Sequence, residues 1–386
     1  MTDKKRPTIL VTGASGIIGK GFLDAAKGNY DIYAAARRPQ HETTVPEHPD
    51  IKWLQVDIAN YPALKAVTLN AVKGKGVDFV LHLASYYDFN YSEHSEYERT
   101  NVRGTRNVLE LAKVLKVKRF IFTGSVAACS FPPKGGVIDE KSPADAGHPY
   151  AVSKRKGEEL VKEFSTFFPC TIVRPAAVFT DWGEYGFLYI FLSRWFSRKW
   201  WKSILGGKGE CAVPYIHVHD LTALLLTVFK ESKRLPCFDT YIAGPDGATS
   251  LRELFEAAAY YAGEKRKPLF LPRFVIQPLV AARDLVGRFT GTRPFERTWM
   301  CKYFDSKLTI DSSYTRKTLA WEPSPRFHIL RRLLYLIEKM KTYPEEWHYR
   351  NARAMNRISK RQDIPLTKVP ERSDIEEKLK DLAAFF

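Results

Sequence analysis

The chain has 386 residues, of which 45% are hydrophobic and 13% aromatic, which excludes a mostly disordered protein. Its 60 Lys and Arg residues against 43 Asp and Glu residues give a formal charge of +17. These basic residues are spread along the chain without zinc-finger spacing, basic heptads or an RNA-binding aromatic motif, so nucleic acid is not expected as a partner. The length predicts two domains, or one large α/β domain with an appendage.

No segment has the pattern of a membrane span or a secretory signal. The longest apolar runs, such as Phe187–Leu192, are too short to cross a bilayer. The apolar stretch near the N-terminus, Thr8–Val11, is too short for a signal peptide. The five cysteines lie far apart without a C-x-x-C motif, which is typical of reduced thiols. We therefore expect a cytoplasmic protein.

The N-terminal half alternates strand-length apolar runs with stretches of helical periodicity. The runs are Thr8–Val11, Ile32–Ala36, Trp53–Val56, Val77–Leu83, Phe120–Thr123 and Thr171–Val173. Alternation of this kind predicts βαβ units, and therefore an α/β fold with a doubly wound, parallel Rossmann sheet. Such sheets bind ligands beyond the carboxyl ends of their strands.

Beyond Pro175 the rhythm changes. A strand–helix unit returns at Tyr215–Phe229, and a further strand is predicted at Thr240–Ala243. A helix is predicted over 250–262, because Ser250 and the glutamate three residues later have the spacing of a capping box.

These changes of pattern predict a Rossmann domain and a smaller, mostly helical lobe. We assign residues 1–180 to the Rossmann domain, with 211–245 returning to it. The lobe comprises 181–210 and 246–330, and 331–386 is predicted to be a charged helical extension without a clear core face.

The first predicted strand runs directly into a glycine-rich loop, Thr12-Gly-Ala-Ser-Gly-Ile-Ile-Gly19. Three glycines at this spacing allow a tight turn and a close approach to a pyrophosphate at the positive N-terminus of the next helix. The loop therefore predicts dinucleotide binding by Gly13, Ser15, Gly16, Ile17, Ile18 and Gly19.

The end of the second strand indicates which dinucleotide is bound. NAD-binding loops expect an acid about 20 residues further on, which holds the ribose 2′-OH. Here the strand ends in Arg37 and Arg38, and no acid lies between Ile32 and His41. The two guanidinium groups suit a 2′-phosphate, although solvated loop charges are the alternative. We therefore predict NADP(H) rather than NAD(H).

A tyrosine and a lysine four residues apart, Tyr150 and Lys154, lie on one face of a predicted helix. A nearby cation lowers the pKa of a phenol, which allows proton exchange with a carbonyl or alcohol near neutral pH. The same spacing occurs at Tyr61/Lys65, Tyr261/Lys265, Tyr303/Lys307 and Tyr335/Lys339. Only Tyr150 opens a helix within the βαβ series, 25 residues after Ser125 at a strand exit.

With these motifs the chain resembles an extended short-chain dehydrogenase/reductase of the NAD(P)-dependent epimerase/dehydratase type, over about residues 6–330. The motifs in order are Thr12–Gly19, Val56-Asp57-Ile58, His82-Leu83-Ala84-Ser85, Asn101-Val-Arg-Gly-Thr105, Ser125, Tyr150/Lys154 and Arg174-Pro175. Any one of these motifs is weak evidence, whereas seven in the correct order are strong evidence.

The resemblance implies that the smaller lobe is the substrate-binding lobe, and it implies roles for individual residues. Tyr150 is the acid/base, Lys154 lowers its pKa and binds the nicotinamide ribose, and Ser125 binds the substrate oxygen. Asn101 supports the site from the neighbouring helix and is included in the catalytic set. Further cofactor contacts are implied for Asp57, Ile58, Leu83, Ala84, Ser85, Pro175 and Val178.

Two positions depart from the family pattern. Gly124 stands where relatives often have Ser or Thr, which leaves Thr123 as the alternative hydroxyl to Ser125. Thr180 replaces the glycine that usually closes the R-P-x-x-V-x-G run. Neither position touches the proton-transfer pair, but both bear on the shape of the substrate pocket.

A histidine-rich segment, Tyr215–Asp220, places His217 and His219 at alternate strand positions, as in a metal site. No third His or Cys cluster completes it, so no metal is predicted. We instead expect Asp220 to be the N-cap of the helix over Leu221–Phe229.

Segment 187–202, written as a helix, places Leu188, Phe191, Leu192 and Trp195 on one stripe and basic residues on another. A packed helix and a lid over an apolar substrate fit this pattern equally, and peripheral membrane contact is the third alternative. The basic run Arg350, Arg353, Arg357, Lys360 and Arg361 is predicted to be a solvated helical face.

The leading functional hypothesis is NADP-dependent hydride transfer between the nicotinamide and a carbonyl or alcohol of an apolar, sterol-, flavonoid- or polyketide-like molecule. The alternatives are a nucleotide-sugar epimerase or dehydratase that retains its cofactor, and a non-catalytic dinucleotide-sensing protein. The expected partner is a small-molecule substrate, and a homodimer is left open.

Overall fold

The structure, a computed structural model, describes residues 6–88, 92–290 and 297–355. Its strands are β1 (Thr8–Thr12), β2 (Asp31–Ala36), β3 (Ile51–Gln55), β4 (Phe79–His82), β5 (Arg119–Thr123), β6 (Cys170–Pro175), β7 (Ala177–Phe179), β8 (Ile204–Gly206), β9 (Ala212–Val213), β10 (Tyr215–His217), β11 (Phe238–Ala243), β12 (Thr249–Ser250) and β13 (Leu269–Leu271). Seven of them form one parallel sheet in the order β11-β6-β5-β4-β1-β2-β3. The predicted doubly wound Rossmann fold is confirmed.

The helices surround this sheet and build the lobe. They are α1 (Ile17–Ala26), α2 (Tyr61–Val72), α3 (Gly104–Leu115), α4 (Pro149–Phe164), α5 (Gly186–Trp195), α6 (Val218–Lys230), α7 (Leu251–Tyr261), α8 (Arg273–Thr290), α9 (Ser313–Leu319), α10 (Ile329–Thr342) and α11 (Pro344–Ala354). A π-helical segment, Tyr97–Arg103, leads into α3. Short 3₁₀ segments are Gln40–Glu42, Val126–Ala128, Thr298–Tyr303 and Pro325–Phe327.

Both faces of the sheet are buried, because successive strand residues point to opposite sides. In β1, Ile9 and Val11 lie in one apolar core with residues of α1 and α6. Leu10 lies in the other core, with residues of α2, α3 and α4. The helices thus cover the two faces and leave the carboxyl ends of the strands open for a site.

The lobe has its own core, built from α5, α7, α10 and α11. In α10, Ile329, Leu333, Leu336 and Ile337 are buried, at a spacing that forms one helical face. This stripe packs against α7, and Trp347 of α11 lies in the same core, while the predicted domain boundaries stay a prediction. The rest of the predicted extension lies outside the described residues.

Segment 187–202 is helical only as far as Trp195, where α5 ends. Leu188, Leu192 and Trp195 are buried in the lobe core, with Phe191 packed against it. The stripe therefore packs inside the protein, as the packed-helix alternative requires. Within the described ranges, no helix has the length and apolar composition that crossing a bilayer requires.

Candidate functional site

A cavity of about 1780 Å³ lies at the carboxyl ends of the strands and extends into the lobe. Pockets for one small molecule usually measure about 300–1,000 Å³. This cavity is therefore large enough for a dinucleotide and a substrate together. Every residue predicted to bind the cofactor lines it.

The glycine loop between β1 and α1 has the shape that a dinucleotide requires. Gly13 has φ +72°, and a Cβ there would lie 2.6 Å from the backbone nitrogen of Ala84. A Cβ at Gly19 would lie 2.5 Å from the carbonyl oxygen of Gly13. Gly16 is the N-cap of α1, so the positive end of this helix faces the cavity. These residues fit a bound pyrophosphate.

Three guanidinium groups surround the end of β2. Arg38 donates to the carbonyl oxygen of Ser15 at 3.2 Å and to its hydroxyl at 3.3 Å, while Arg37 lies 3.4 Å from Glu96. Arg353 reaches the same end of the cavity from α11 and donates to the carbonyl oxygen of Glu42. Burial, followed by the charges of Arg353 and Arg37, lowers the pKa of Arg38. This cluster is suited to an anion.

Two of the arginines predicted to lie on a solvated face, Arg350 and Arg353, instead contact other parts of the protein. Arg353 lines the cavity, and Arg350 lies 4.4 Å from the ring centroid of Trp182 and 2.7 Å from Glu346. The prediction was wrong for these two because α11 turns back onto the lobe. Arg357, Lys360 and Arg361 lie outside the described residues.

Tyr150 and Lys154 lie one turn apart at the start of α4, and both line the cavity. The Lys154 Nζ donates to the carbonyl oxygen of Thr123 at 2.8 Å and lies 5.7 Å from the centre of the Tyr150 ring. Burial lowers the pKa of Lys154 to about 8. Of the five Tyr/Lys pairs, all within the described residues, this one alone has both side chains in the cavity.

Ser125 follows β5 and also lines the cavity, where its hydroxyl accepts from the N–H of Ala127 at 3.1 Å. Asn101 is placed differently. Its amide accepts from the N–H of Tyr86 at 2.6 Å and donates to Ser153 at 2.9 Å, and it is buried away from the cavity wall. Its polar atoms hold the chain behind the site, and its place in the catalytic set stays a prediction.

His148 is a site residue that sequence reasoning missed. Its Nδ1 accepts from the N–H of Ala151 at 3.1 Å, so the neutral ring carries its proton on Nε2 and donates to the carbonyl oxygen of Ala127 at 3.0 Å. Burial lowers the pKa of His148. Its ring lies parallel to that of Tyr150 at 6.2 Å. His148 thus links the start of α4 to the Ser125 loop, and its place just before a Pro-initiated helix was the available signal.

The two departures from the family pattern have structural reasons. A Cβ at Gly124 would lie 2.5 Å from a carboxylate oxygen of Glu158, whose buried ion pair with Arg174 occupies that space. The Thr123 hydroxyl donates to the carbonyl oxygen of His82 at 2.6 Å, so it is already engaged. Thr180 accepts from the N–H of Trp182 at 3.1 Å and closes a turn.

The histidine-rich segment is a stacked cluster. His217 lies parallel to His219 and to Phe327, with centroids 5.1 and 4.6 Å away, and its Nε2 is 3.2 Å from Asp181. Among the described residues, no group of three metal-ligating side chains is present. His217, rather than Asp220, is the N-cap of α6, because the helix begins earlier than predicted, at Val218.

The lobe side of the cavity has predominantly apolar walls. They come from α5, the segment that follows it, α8 and residues 298–304, and include Phe187, Phe191, Trp200, Trp201, Ile276, Leu279, Val280, Trp299, Met300 and Phe304. Arg194, Arg283 and Arg297 add positive charge at this end. This composition suits a substrate with a large apolar part.

Comparison with known proteins identifies relatives of this chain. It is 25% identical over 274 residues to a putative UDP-glucose 4-epimerase of Methanocaldococcus jannaschii, covering 68% of this chain and 85% of the relative. It is 22% identical over 322 residues to sterol demethylase protein B of Methylococcus capsulatus, covering 82% and 94%.

Solved structures show the same fold. UDP-glucose 4-epimerase of Thermotoga maritima, determined with UDP-glucose, superimposes with a TM-score of 0.66 at 20% identity, covering 86% of this chain and 99% of that one. The Bordetella bronchiseptica enzyme WbmG, in complex with NAD, gives 0.67 at 17% identity, covering 89% and 96%. Because this neighbour carries NAD, the preference for NADP(H) stays a prediction.

The family model described as "NAD dependent epimerase/dehydratase family" matches residues 9–244, which span the glycine loop, Ser125, Tyr150 and Lys154. The match covers more than half of the chain and agrees with the sheet order and with the cavity. The chain therefore belongs to the NAD-dependent epimerase/dehydratase family of extended short-chain dehydrogenase/reductase enzymes.

Proposed function

We propose that this enzyme transfers hydride between NADP(H) and a secondary alcohol, or the matching ketone, of an apolar small molecule of sterol-, flavonoid- or polyketide-like character. The observation that carries the proposal is the aromatic and aliphatic wall of the lobe-side cavity, which shares one space with Tyr150. An apolar substrate is stabilised by leaving water for such a wall, whereas the hydroxyl groups of a sugar would lose hydrogen bonds to water there.

In this proposal the chain's own residues handle the proton. The Tyr150 hydroxyl exchanges it with the substrate oxygen, and the Ser125 hydroxyl donates a hydrogen bond to the same oxygen. Ser125 retains its own proton for this purpose, because toward Ala127 it acts only as an acceptor. The Lys154 ammonium group stabilises the phenolate as it forms. The nicotinamide, when bound, supplies or accepts the hydride.

The NADP(H) part of the proposal rests on the arginines at the end of β2. Arg37 and Arg38 would hold a 2′-phosphate by charge-assisted hydrogen bonds, with Arg353 as a third cation. β2 ends without an acid in the position that usually holds the 2′-OH of NAD.

The experiment measures cofactor preference in the presence of an apolar alcohol substrate. With a hydroxysteroid as the alcohol, the protein should reduce NADP⁺ in preference to NAD⁺, followed by absorbance. In Arg38→Ala, NADPH should bind about tenfold or more weakly, because charge-assisted hydrogen bonds to the 2′-phosphate are lost. NADH should lose much less, since only the hydrogen bonds from Arg38 to Ser15 affect it. Tighter binding of NAD(H) by the unmodified protein would reject the cofactor assignment.

The relatives favour a second candidate, a nucleotide-sugar epimerase or dehydratase, since relatives and structural neighbours include UDP-glucose 4-epimerases. Such an enzyme uses the same tyrosine and lysine. It would retain bound cofactor through purification, convert UDP-glucose without net cofactor turnover and leave the hydroxysteroid untouched. Those three results together would replace the first proposal by this one.

The buried ammonium of Lys154 predicts the pH dependence of turnover. Its pKa of about 8 means that the charge is lost above that pH, so kcat should fall in both the oxidative and the reductive direction. The stability of the fold changes with pH in the opposite sense. Because folding lowers the pKa of Lys154, the free energy of unfolding rises as the pH rises from about 8 toward the pKa that Lys154 has in the unfolded chain. Initial rates in both directions test this, and a fall in reduction alone would contradict it.

A further inference from the structure

Helix α8 presents an apolar face to solvent. Phe274 and Phe289, at its two ends, are 79% and 85% exposed. Leu279, Leu285 and Val286 between them are 58%, 54% and 59% exposed. Single exposed apolar side chains are ordinary on protein surfaces, but a contiguous group on one helix marks an interaction site.

The spacing of these side chains explains why they form one surface. The residues Phe274, Pro278, Ala282, Leu285 and Phe289 recur every three or four positions, so they follow one face of the helix. No charged residue interrupts that row. Leu279 lies at the border, since it is exposed and also lines the cavity, whereas Ile276, Val280 and Arg283 line the cavity and Asp284 and Gly287 are buried. The helix is therefore a wall with the cavity on one side and solvent on the other.

The chain segments that carry this surface are rich in basic residues. Residues 265–290 contain six Lys and Arg residues and one acid, Asp284, which pairs with Arg288 and Arg297, while Arg266 pairs with Glu264 just before the segment. The segment 196–209 contains Arg198, Lys199, Lys202 and Lys208 and no acid.

That second segment lies beside α8 and adds an exposed aromatic side chain. The Arg283 guanidinium lies 4.6 Å from the ring centroid of Trp201, which holds the segment against the helix. The adjacent Trp200, which also borders the cavity, is 87% exposed. Exposed aromatic and aliphatic side chains with lysine and arginine around them are the composition of a surface that lies in a membrane interface.

We propose that the outer face of α8, together with Trp200, is a docking surface for an anionic lipid bilayer. The basic residues of the surface favour an anionic bilayer over a second copy of the chain. A second copy of the chain would bring two basic surfaces together, whereas anionic headgroups complement the lysines and arginines while the apolar side chains enter the acyl boundary. This places membrane contact on α8 and Trp200, whereas the stripe of α5 is buried.

Docking through α8 would also place the cavity next to the membrane. Because the other side of this helix lines the cavity, docking brings the lobe end of the cavity to the lipid surface. Delivery of substrate from the bilayer rests on the proposed apolar substrate, but the docking itself does not. Vesicle binding is therefore measured without substrate or cofactor, so that failure of docking and failure of the proposed function are separate results.

The experiment is sedimentation of the full chain with vesicles of phosphatidylcholine alone or mixed with phosphatidylserine. The protein should sediment with the mixed vesicles, less so at high salt. The double variant Phe274→Ser/Phe289→Ser should bind them about tenfold or more weakly, because it removes two large apolar anchors. Both side chains are exposed, so circular dichroism and thermal unfolding should match the unmodified protein.

The matched control is Phe167→Ser, the same change at a phenylalanine that is 55% exposed outside this surface, and it should bind vesicles as the unmodified protein does. Equal sedimentation of the double variant would overturn the proposal, as would absence of binding to either vesicle. A concentration-dependent dimer in analytical ultracentrifugation that the double variant abolishes would assign the surface to a second copy instead.

Discussion

Replacing Tyr150 with phenylalanine is expected to lower kcat by about 10²–10⁴-fold, because the variant lacks the hydroxyl that exchanges a proton with the substrate oxygen. The ring itself should stay in place, since it packs edge-on against Tyr87 with centroids 4.7 Å apart. Steady-state turnover measures the loss. Cofactor affinity, followed by nicotinamide fluorescence, should change little.

The control for this variant is Tyr61→Phe. Tyr61 and Lys65 have the same spacing at the start of α2, but neither lines the cavity. Turnover should therefore be unaffected by this substitution. A Tyr150→Phe variant as active as the unmodified protein would remove Tyr150 from the acid/base role and leave the chemistry of this site unassigned.

Replacing Glu158 with alanine is expected to lower the free energy of unfolding by about 3–5 kcal/mol, because it leaves a buried guanidinium group without its counter-charge. The side chains of Glu158 and Arg174 are only 9% and 7% exposed, and two nitrogens of the arginine lie 3.0 and 2.7 Å from the carboxylate. Urea denaturation measures the loss. The same pair fills the space beside Gly124, so the variant also loosens the wall behind Ser125.

Another glutamate on the same helix provides the comparison. Glu163 is 57% exposed and lies 3.6 Å from Arg106, so Glu163→Ala should cost about 0–1 kcal/mol. The double variant Glu158→Leu/Arg174→Met, which removes both charges, should lose less than Glu158→Ala alone. If Glu158→Ala and Glu163→Ala were equally stable, the buried pair would not carry the stability assigned to it.

Much of the Rossmann half could be predicted because its signals are local. Each buried parallel strand is a short apolar run, and the glycine loop must follow the first of them, since a side chain at Gly13 would collide with the backbone of Ala84. The capping box at Ser250 and Glu253 is likewise a local signal, and it is present.

The contacts of Asn101, Arg350 and Arg353 could not be predicted in this way. Asn101 has the family's position, but only the packing around Tyr86 shows that its amide is fully engaged away from the cavity. The arginines of α11 look like a solvated face in sequence. Their partners, Trp182 and the carbonyl oxygen of Glu42, lie more than 150 residues away along the chain.

The sequence by itself therefore determined the fold and the family, because these depend on periodicity and on motifs in a fixed order, and it predicted Tyr150 and Lys154 as the proton-transfer pair. The tertiary structure showed which charges meet at the end of β2 and which neighbours leave no room for a side chain at Gly124. It also showed that α8 rather than α5 carries an exposed apolar face. A buried and an exposed stripe have the same spacing in sequence. Only packing against the rest of the chain distinguishes them.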